Sequence, residues 1–185
     1  MLRLAWRGAG PCGARLNPKM TDAHEVELDA ATPADAALLA NLLELYVHDM
    51  SEVFAVELGA DGRFGYPKLS LYWSAPERHF ALLIRYAGRT VGFTLVTRGS
   101  PVTDDPNALD VAEFFVLRRY RRSGVGRRAA LALWQRFPGT WTVRVLERNR
   151  GAQLFWSRVV AEFTRGDVRE FTRDGKLVFA FESKS

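Results

Sequence analysis

The chain has 185 residues, of which 48% are hydrophobic and 25% charged, a length and balance typical of one globular domain. Its apolar runs are shorter than a membrane span needs, and its single cysteine, Cys12, excludes an internal disulfide and favours a reducing, cytoplasmic setting. The formal net charge is +5, but residues 1–19 carry four basic residues and no acidic one, which leaves +1 for the remainder. We therefore expect neither a nucleic-acid partner nor a membrane partner.

The N-terminal extension, residues 1–22, precedes the predicted domain, residues 23–185. Its first nineteen residues are rich in Gly, Arg, Ala and Pro and show no hydrophobic periodicity. They lack the apolar core of a secretory signal and the serines typical of a transit peptide. We interpret this segment as a disordered tail or as a start assigned too early, with Met20 as the true start, and a transit peptide is the alternative.

Hydrophobic periodicity predicts the secondary structure in chain order. Thr32-Pro33-Ala34-Asp35 predicts a helix start, with Thr as N-cap and Pro at the first helical position. Predicted helical stretches are 38–46, 66–73, 127–137 and 149–163. Predicted strands are 26–28, 80–86, 90–97, 111–117, 141–145, 168–172 and 177–181, with a polar loop over 100–110. This order favours an α+β fold in α/β layers, a mixed and mainly antiparallel central sheet flanked by helices.

A glycine- and arginine-rich loop stands between the fourth predicted strand and the third long helix. It reads Arg121-Arg122-Ser123-Gly124-Val125-Gly126. Glycine lets the backbone turn tightly and approach a ligand closely, and a helix N-terminus presents unpaired N–H groups to an anion. The order of strand, glycine loop and helix therefore predicts a phosphate-binding site.

This loop resembles the acyl-CoA pyrophosphate-binding motif of the GNAT superfamily of N-acetyltransferases. That motif has Arg or Gln, two residues of any type, Gly, one residue of any type, and then Gly or Ala. Arg121, Gly124 and Gly126 fill that pattern. A second family motif, in the helix after the next strand, is matched by Asn149, Ala152, Phe155 and Trp156. Because the order of elements over about residues 26–182 matches as well, the resemblance implies the GNAT-like acyl-CoA N-acyltransferase fold.

The resemblance implies acetyl-CoA as the acyl donor. In the family, the fourth strand splays from the fifth, and the pantetheine arm inserts in the gap like an extra strand. One N–H, at Phe115 or Val116, would polarise the acetyl carbonyl. The implied cofactor-binding residues are Phe115, Val116, Leu117, Arg118, Arg121, Arg122, Ser123, Gly124, Val125, Gly126, Arg127, Asn149 and Trp156. A plain core strand over 114–117 and a helix-capping role for Asn149 are compatible interpretations.

A dense basic cluster accompanies the loop and comprises Arg118, Arg119, Arg121, Arg122, Arg127 and Arg128. CoA carries a pyrophosphate and a 3′-phosphate, so several arginines suit this ligand. The alternatives are a solvated surface or, less in keeping with the near-neutral body, a nucleic-acid patch.

Glu113 is the candidate general base, and the Val116 N–H is the candidate catalytic donor. The reaction needs a base because an ammonium ion is not nucleophilic. Glu113 stands three residues before Val116, where many family members place an acid, and strand alternation puts it on the face of Phe115 and Leu117 unless a bulge shifts the phase. An acid in an apolar strand needs a partner or a purpose, so a salt-bridged acid is the alternative.

The acceptor side is expected to follow the first helix. Asp49 and Glu52 would suit a cationic acceptor, and Tyr72 and Trp73 would form the floor of its site. Solvated helix-end acids and core or rim aromatics are the alternatives. The three histidines and the one cysteine have no metal-ligand spacing, so we expect no metal.

Trp156 departs from the family pattern, in which a tyrosine usually protonates the departing thiolate. An indole N–H is not acidic enough for that task. A water, Ser157, Tyr46, Tyr72 or Tyr120 would have to replace it, or CoA leaves as the thiolate, or the protein is a weak catalyst.

The combined interpretation is an acetyl-CoA-dependent N-acetyltransferase, a monomer or homodimer, that acetylates a primary amine of a small molecule or protein by direct attack in a ternary complex. Because Trp156 replaces the expected tyrosine, the alternative is a non-catalytic acyl-CoA-binding sensor or regulatory module.

Overall fold

The computed structural model describes residues 25–184, so the predicted extension 1–22 lies outside the described residues. Its strands β1–β7 are Val26–Ala30, His79–Tyr86, Arg89–Arg98, Leu109–Val116, Gly139–Leu146, Arg169–Arg173 and Lys176–Ser183. Its α-helices α1–α4 are Ala36–Met50, Leu71–Ser74, Val125–Arg136 and Arg150–Thr164. Short 3₁₀ turns precede α1, α2 and α3, at Pro33–Asp35, Pro67–Ser70 and Arg118–Tyr120.

All seven strands form one sheet in the order β1-β2-β3-β4-β5-β7-β6. Neighbouring strands are antiparallel except for β4 and β5, which are parallel. The mixed, mainly antiparallel sheet expected from the sequence is therefore confirmed. No helix within residues 25–184 is long and apolar enough to cross a membrane.

Helices cover both faces of the sheet and bury a separate apolar layer on each. On one face, α3 and α4 pack on the sheet through residues such as Leu133, Trp134 and Val160, all fully buried. On the other face, Leu39 and Leu43 of α1 pack against β3. Burying two layers is what lets a domain of this size hold a seven-stranded sheet.

Local sequence signals explain several element boundaries. The Asp35 carboxylate accepts a hydrogen bond from the Thr32 N–H at 2.9 Å, which fixes the start of the first helical segment as predicted. Both predicted hairpin turns have two residues in the left-handed region, Ala87 and Gly88 in one and Asp174 and Gly175 in the other. That geometry matches the twist of the flanking strands.

Several predicted boundaries differ from those of the structure, and two of these concern β4 and the glycine loop. The sequence predicts a polar loop that runs to residue 110, but β4 begins at Leu109, which places Asp110 inside a strand. The third long helix begins at Val125 rather than Arg127, because Gly124 adopts φ +81° and serves as its N-cap.

A β-bulge in β4 decides which side chains share a face. Leu95 of β3 lies opposite Glu113, and Val96 lies opposite Val111, which leaves Ala112 as the extra residue. Without the bulge, Asp110 and Glu113 would point to opposite faces, since they are three residues apart. With it, both lie on the face that α1 covers.

Candidate functional site

The parallel pairing of β4 with β5 is short. It runs from Leu109↔Trp141 to Val111↔Val143 and then stops, although both strands continue. Within residues 25–184, β4 keeps β3 on one side from Ala112 to Val116 and has no paired strand on the β5 side. The two strands thus leave a gap between their C-terminal halves, in which backbone groups of β4 are available to a ligand.

The orientation of the β4 backbone decides which groups face this gap. The Leu117 N–H donates to the Val91 carbonyl of β3 at 2.9 Å, and the Phe115 carbonyl also points at β3. Because successive residues of a strand direct their backbone groups to opposite edges, the Val116 N–H and carbonyl face the gap. The approach of the Phe115 carbonyl needs glycine at position 92, where a Cβ would lie only 2.1 Å from that oxygen.

The glycine loop closes the end of the gap. Arg122 and Gly124 both adopt positive φ, +61° and +81°, and the chain then enters α3 at Val125. The N–H groups of the first turn of α3 have no partner inside the helix, so they form a donor set for an anion. Val125 contributes only backbone here because its side chain is fully buried.

Gly126 has a packing explanation of its own. A Cβ at this position would lie 3.4 Å from the Phe155 ring and 3.7 Å from the Phe114 ring. The second glycine of the loop therefore allows α3 to lie close to α4 and to the gap-side face of β4.

The Glu113 carboxylate lies under two tyrosine hydroxyls. The Tyr46 hydroxyl donates to Oε2, and the Tyr66 hydroxyl donates to Oε1 at 2.8 Å. Burial raises the pKa of Glu113, and the hydrogen bonds from both tyrosines and the charge of Arg144 oppose this only in part. Glu113 is thus a carboxyl group whose proton affinity is above the ordinary range.

The tyrosines around Glu113 are poor acids and good donors. Burial, followed by the negative charge of Glu113, raises the pKa of Tyr46, Tyr66 and Tyr72 well above the usual range. Their hydroxyls therefore stay protonated at neutral pH and remain able to donate to the carboxylate.

Asp110 and Arg144 form a buried ion pair on the same face. Arg144 donates through Nε to Oδ1 at 2.8 Å and through a terminal nitrogen to Oδ2 at 2.7 Å, and Asp110 is fully buried. The Thr142 hydroxyl also donates to Oδ1, at 2.7 Å. Because Arg144 is bound in this bidentate way, it leaves Glu113 with hydroxyl donors and no cation of its own.

Asp49, at the end of α1, binds two arginines of the basic cluster. Its carboxylate accepts from Arg118 at 2.6 and 3.0 Å and from Arg121 at 2.5 Å. Burial alone would raise the pKa of Asp49, but the hydrogen bonds and charges of Arg118 and Arg121 outweigh burial and hold the pKa below its usual range.

The match to a protein family covers the gap, the loop and the tyrosine–Glu113 cluster. A model of the acetyltransferase (GNAT) family matches residues 39–159, more than half of the chain. The chain belongs to the GNAT family. No curated protein matches it.

Solved structures share the GNAT fold at low sequence identity. An acetyltransferase from Thermus thermophilus has a TM-score of 0.65 at 17% identity, over 86% of this chain and 99% of that one. A GNAT-family acetyltransferase from Staphylococcus aureus Mu50 has 0.59 at 14%, over 86% and 99%. Spermidine N-acetyltransferase from Vibrio cholerae, solved with CoA and spermine, has 0.57 at 12%, over 86% and 96%.

In the GNAT loop, the side chains and the backbone N–H groups differ in whether they have partners within the protein. Arg122 and Ser123 are exposed, and the Ser123 hydroxyl donates to the Tyr120 carbonyl at 2.7 Å. Arg127 is paired with Glu162 of α4. The loop arginines are therefore partly committed to protein partners, while the loop N–H groups are not used by the helix.

Asn149 and Trp156, two residues of the second GNAT motif, make contacts that support the fold. The Asn149 side chain accepts from the Ala152 N–H at 3.0 Å, which makes it the N-cap of α4. Trp156 is 6% exposed and packs edge-on against Phe114, with ring centroids 5.0 Å apart. Its indole contributes to the wall on the α4 side of β4.

The predicted acceptor-side residues do not form one cluster, although Tyr72 lies close enough to Glu113 for burial and then that carboxylate's charge to raise its pKa. Asp49 is bound by arginines as described, and Glu52 is exposed beyond the end of α1. Tyr72 is buried and packs edge-on against His79, while Trp73 is half-buried beside the same apolar layer.

Sequence reasoning missed Tyr66, Asp110 and Arg144, and it named Tyr46 only among possible acids. Arg144 carried a usable signal, because a charged residue between Val143 and Val145 needs a buried partner. Tyr66 carried none, because its contact with Glu113 spans 47 residues of chain.

Proposed function

We propose that this GNAT protein is an acetyl-CoA-dependent N-acetyltransferase that transfers the acetyl group to a primary amine by direct attack in a ternary complex. The observation that carries the proposal is the open half of β4. Its backbone faces an unpaired gap, its end leads into the glycine loop, and its Glu113 carboxyl group lies on the opposite side of the strand from Trp156.

The chain's backbone offers a fitting set of partners for acetyl-CoA. The gap-facing backbone groups of residues 115–118 would hydrogen-bond the pantetheine arm, and the N–H groups from about Arg122 to Arg127 would hold the pyrophosphate. The Val116 N–H, rather than that of Phe115, would polarise the acetyl carbonyl, because Val116 faces the gap. Such a donor contributes roughly 2.7–4 kcal/mol in comparable oxyanion holes.

Glu113 is proposed to accept the proton of the acceptor ammonium ion, directly or through water. Its raised pKa brings the carboxylate closer to the working pH, which makes proton acceptance more effective than for an ordinary glutamate. The Tyr46 and Tyr66 hydroxyls hold the carboxylate in place, and no cation among residues 25–184 is hydrogen-bonded to it.

The acceptor class is proposed from this charge. A carboxylate with only hydroxyl donors gains most from a positively charged amine, of a small molecule or of a protein. The amine ligand named for the Vibrio cholerae relative is of the same chemical class. Proton delivery to the departing thiolate falls to a group other than Trp156.

The second candidate function is a non-catalytic acyl-CoA-binding sensor. The observation that favours it is the burial of Trp156 among Phe114, Trp134 and Phe155, which leaves an indole where the family usually has its acid. Such a protein would bind acetyl-CoA through the same loop and gap without turnover.

The test combines calorimetry with a thiol-release assay against a panel of amines and basic peptides. Transfer supports the enzyme, and tight binding of acetyl-CoA without transfer to any acceptor supports the sensor. Gly124→Val should weaken acetyl-CoA binding tenfold or more, about 1.4 kcal/mol, by adding a Cβ where the backbone must approach phosphate.

A matched control is available in the β2–β3 turn. Gly88 adopts φ +71°, and a Cβ there would meet nothing within 4 Å. Gly88→Val therefore imposes a similar backbone strain outside residues 121–126 and should leave acetyl-CoA affinity unchanged. Equal affinities in folded Gly124→Val and the wild type would remove the loop assignment.

The remaining features of the proposal concern its setting. A domain of residues 23–185 would work in the cytoplasm as a monomer or homodimer, without a metal, nucleic-acid or membrane partner. Sedimentation with and without acetyl-CoA would measure the oligomeric state, and retention on nucleic acid at varied salt would test the nucleic-acid exclusion.

A further inference from the structure

We propose that Asp49 is a positioning residue for acyl transfer, which acts through Arg121 to fix the direction of the Val116 backbone. This inference rests on the proposed function and assigns Arg121 to the protein's own backbone rather than to phosphate. The contact set of Asp49, Arg121 and Val116 forms a clamp between α1 and β4.

The first step of the clamp joins α1 to the start of the glycine loop. Asp49 is the penultimate residue of α1, and its side chain is only 17% exposed. Its two oxygens are divided between two arginines, with Oδ2 bound to Arg121 and Oδ1 to Arg118. Because Asp49 keeps a low pKa, this link stays ionic over the neutral range.

The second step joins Arg121 to β4. Arg121 donates through Nε to the Val116 carbonyl at 2.7 Å, and its guanidinium lies over the Phe115 ring at 5.4 Å. A guanidinium is planar and its donors have fixed directions, so binding one nitrogen to Asp49 sets the direction of the other. The Arg121 side chain is thereby held between helix and strand.

The third step concerns the peptide plane between Val116 and Leu117. Its carbonyl is bound by Arg121 on the gap side, and its N–H is bound by Val91 of β3 at 2.9 Å. A plane held at both ends cannot rotate, and the preceding plane, which carries the Val116 N–H, is limited by the contact of Phe115 with Gly92. The clamp therefore aims the N–H that would polarise the acetyl carbonyl.

The two roles open to Arg121 predict different kinetics. A phosphate ligand contributes to binding in the ground state, so its loss weakens acetyl-CoA affinity. A positioning residue acts on the geometry of the transition state, and a misplacement near 1 Å costs on the order of 100-fold in rate. The clamp predicts the second pattern.

The experiment compares Arg121→Leu and Asp49→Asn with Arg118→Leu. The first two should lower kcat about tenfold or more at saturating acetyl-CoA, while the Kd for acetyl-CoA stays within about threefold. Arg118→Leu removes one partner from Asp49 but leaves Arg121 on Val116, so its loss of kcat should be clearly smaller. Asp29→Asn breaks the exposed pair with Arg85, at 3.1 Å, and controls for the loss of a surface ion pair.

Amide hydrogen exchange at Leu117 supplies a readout that does not depend on turnover. Exchange should be faster in Asp49→Asn and Arg121→Leu than in the wild type and in Asp29→Asn, at equal melting temperatures. A tenfold weaker acetyl-CoA affinity with unchanged kcat in Arg121→Leu would overturn the clamp, as would equal effects of Arg118→Leu and Arg121→Leu. If the wild type transfers no acetyl group, the proposed function fails, and unchanged Leu117 exchange would separately overturn the clamp.

Discussion

The two halves of β4 carry one carboxylate each and treat it in opposite ways. In the first half, Asp110 is enclosed between paired strands, fully buried and bound by the bidentate Arg144. In the second half, Glu113 lies beside an open gap, and its hydrogen-bond partners among residues 25–184 are the hydroxyls of Tyr46 and Tyr66. The same strand therefore holds a charge fixed by a cation and a charge without one.

The comparison shows that the first half of β4 supports the fold, while the second half carries the carboxyl group proposed for catalysis. A carboxylate paired with arginine supports the structure, whereas Glu113, whose pKa burial raises, is the better candidate for proton exchange. The bulge at Ala112 brings both onto one face, where the charge of Asp110 further raises the pKa of Glu113. We expect substitutions in the two halves to separate stability from activity.

The largest effect is expected for Glu113→Gln. Losing the proposed base should lower kcat/KM by about 10²- to 10⁴-fold while leaving the free energy of unfolding close to the wild type, because no ion pair is broken. Steady-state kinetics and urea unfolding measure the two quantities. Glu170→Gln, on the exposed edge strand β6, is the matched control. A Glu113→Gln variant with wild-type turnover would remove the proposed base.

Asp110→Asn should show the reverse pattern in stability. Leaving Arg144 buried without its counter-ion should cost about 3–5 kcal/mol in the free energy of unfolding. Because removing both charges leaves no unpaired ion, the double variant Asp110→Asn, Arg144→Gln should recover part of that loss. Urea unfolding of the single and double variants measures these free energies. If Asp110→Asn lowers the free energy of unfolding by well under the ~3 kcal/mol expected for a broken buried pair, the ion pair does not support the first half of β4.

Trp156→Tyr tests the wall of the open half. The smaller ring should lose contact with Phe114 and Trp134, at a cost of about 1–3 kcal/mol in stability. Turnover should survive, since the indole supplies no proton. Melting temperature and kcat are measured together. Abolished turnover in a folded variant would show that the indole is needed for transfer.

The smallest effect is expected for Tyr66→Phe, as a shift in the pH profile of kcat/KM. The Tyr66 hydroxyl lowers the pKa of Glu113 by hydrogen bonding to its charged form. Tyr66→Phe should therefore raise that pKa further and move the acidic limb of kcat/KM to higher pH. Tyr46→Phe should act in the same direction, and Tyr120→Phe, at a residue that lies outside the hydroxyl pair on Glu113, should leave the limb in place.

The stability of the wild type should also depend on pH through Glu113, in a direction set by its raised pKa. Because the folded-state pKa of Glu113 lies above its unfolded value, its contribution to stability is full at low pH and is lost as pH rises through the folded pKa. Glu113→Gln should remove this dependence, which urea unfolding across pH would detect.

The sequence predicted what local patterns encode. The hairpins, the helix start at Thr32, the glycine loop and the mixed sheet all follow from neighbouring residues, and the structure confirms them. The tyrosine contacts of Glu113 and the partners of Asp49 join residues 47 to 72 positions apart, so no local pattern contains them. Asp110 was misassigned because the polar and proline-containing run before it masked the start of β4.

The face on which Glu113 lies depends on the number of residues in β4, because Ala112 is the extra residue of the bulge. Deleting this one residue would restore regular alternation, so that Glu113 would turn toward α3 and α4 if Asp110 kept its place. Every side chain of the site would remain in the sequence, yet the carboxyl group would face Trp134 and Trp156 instead of Tyr46. Given the proposed role of Glu113, one insertion or deletion in the fourth strand would remove the base from a homologue that keeps all of its recognisable residues.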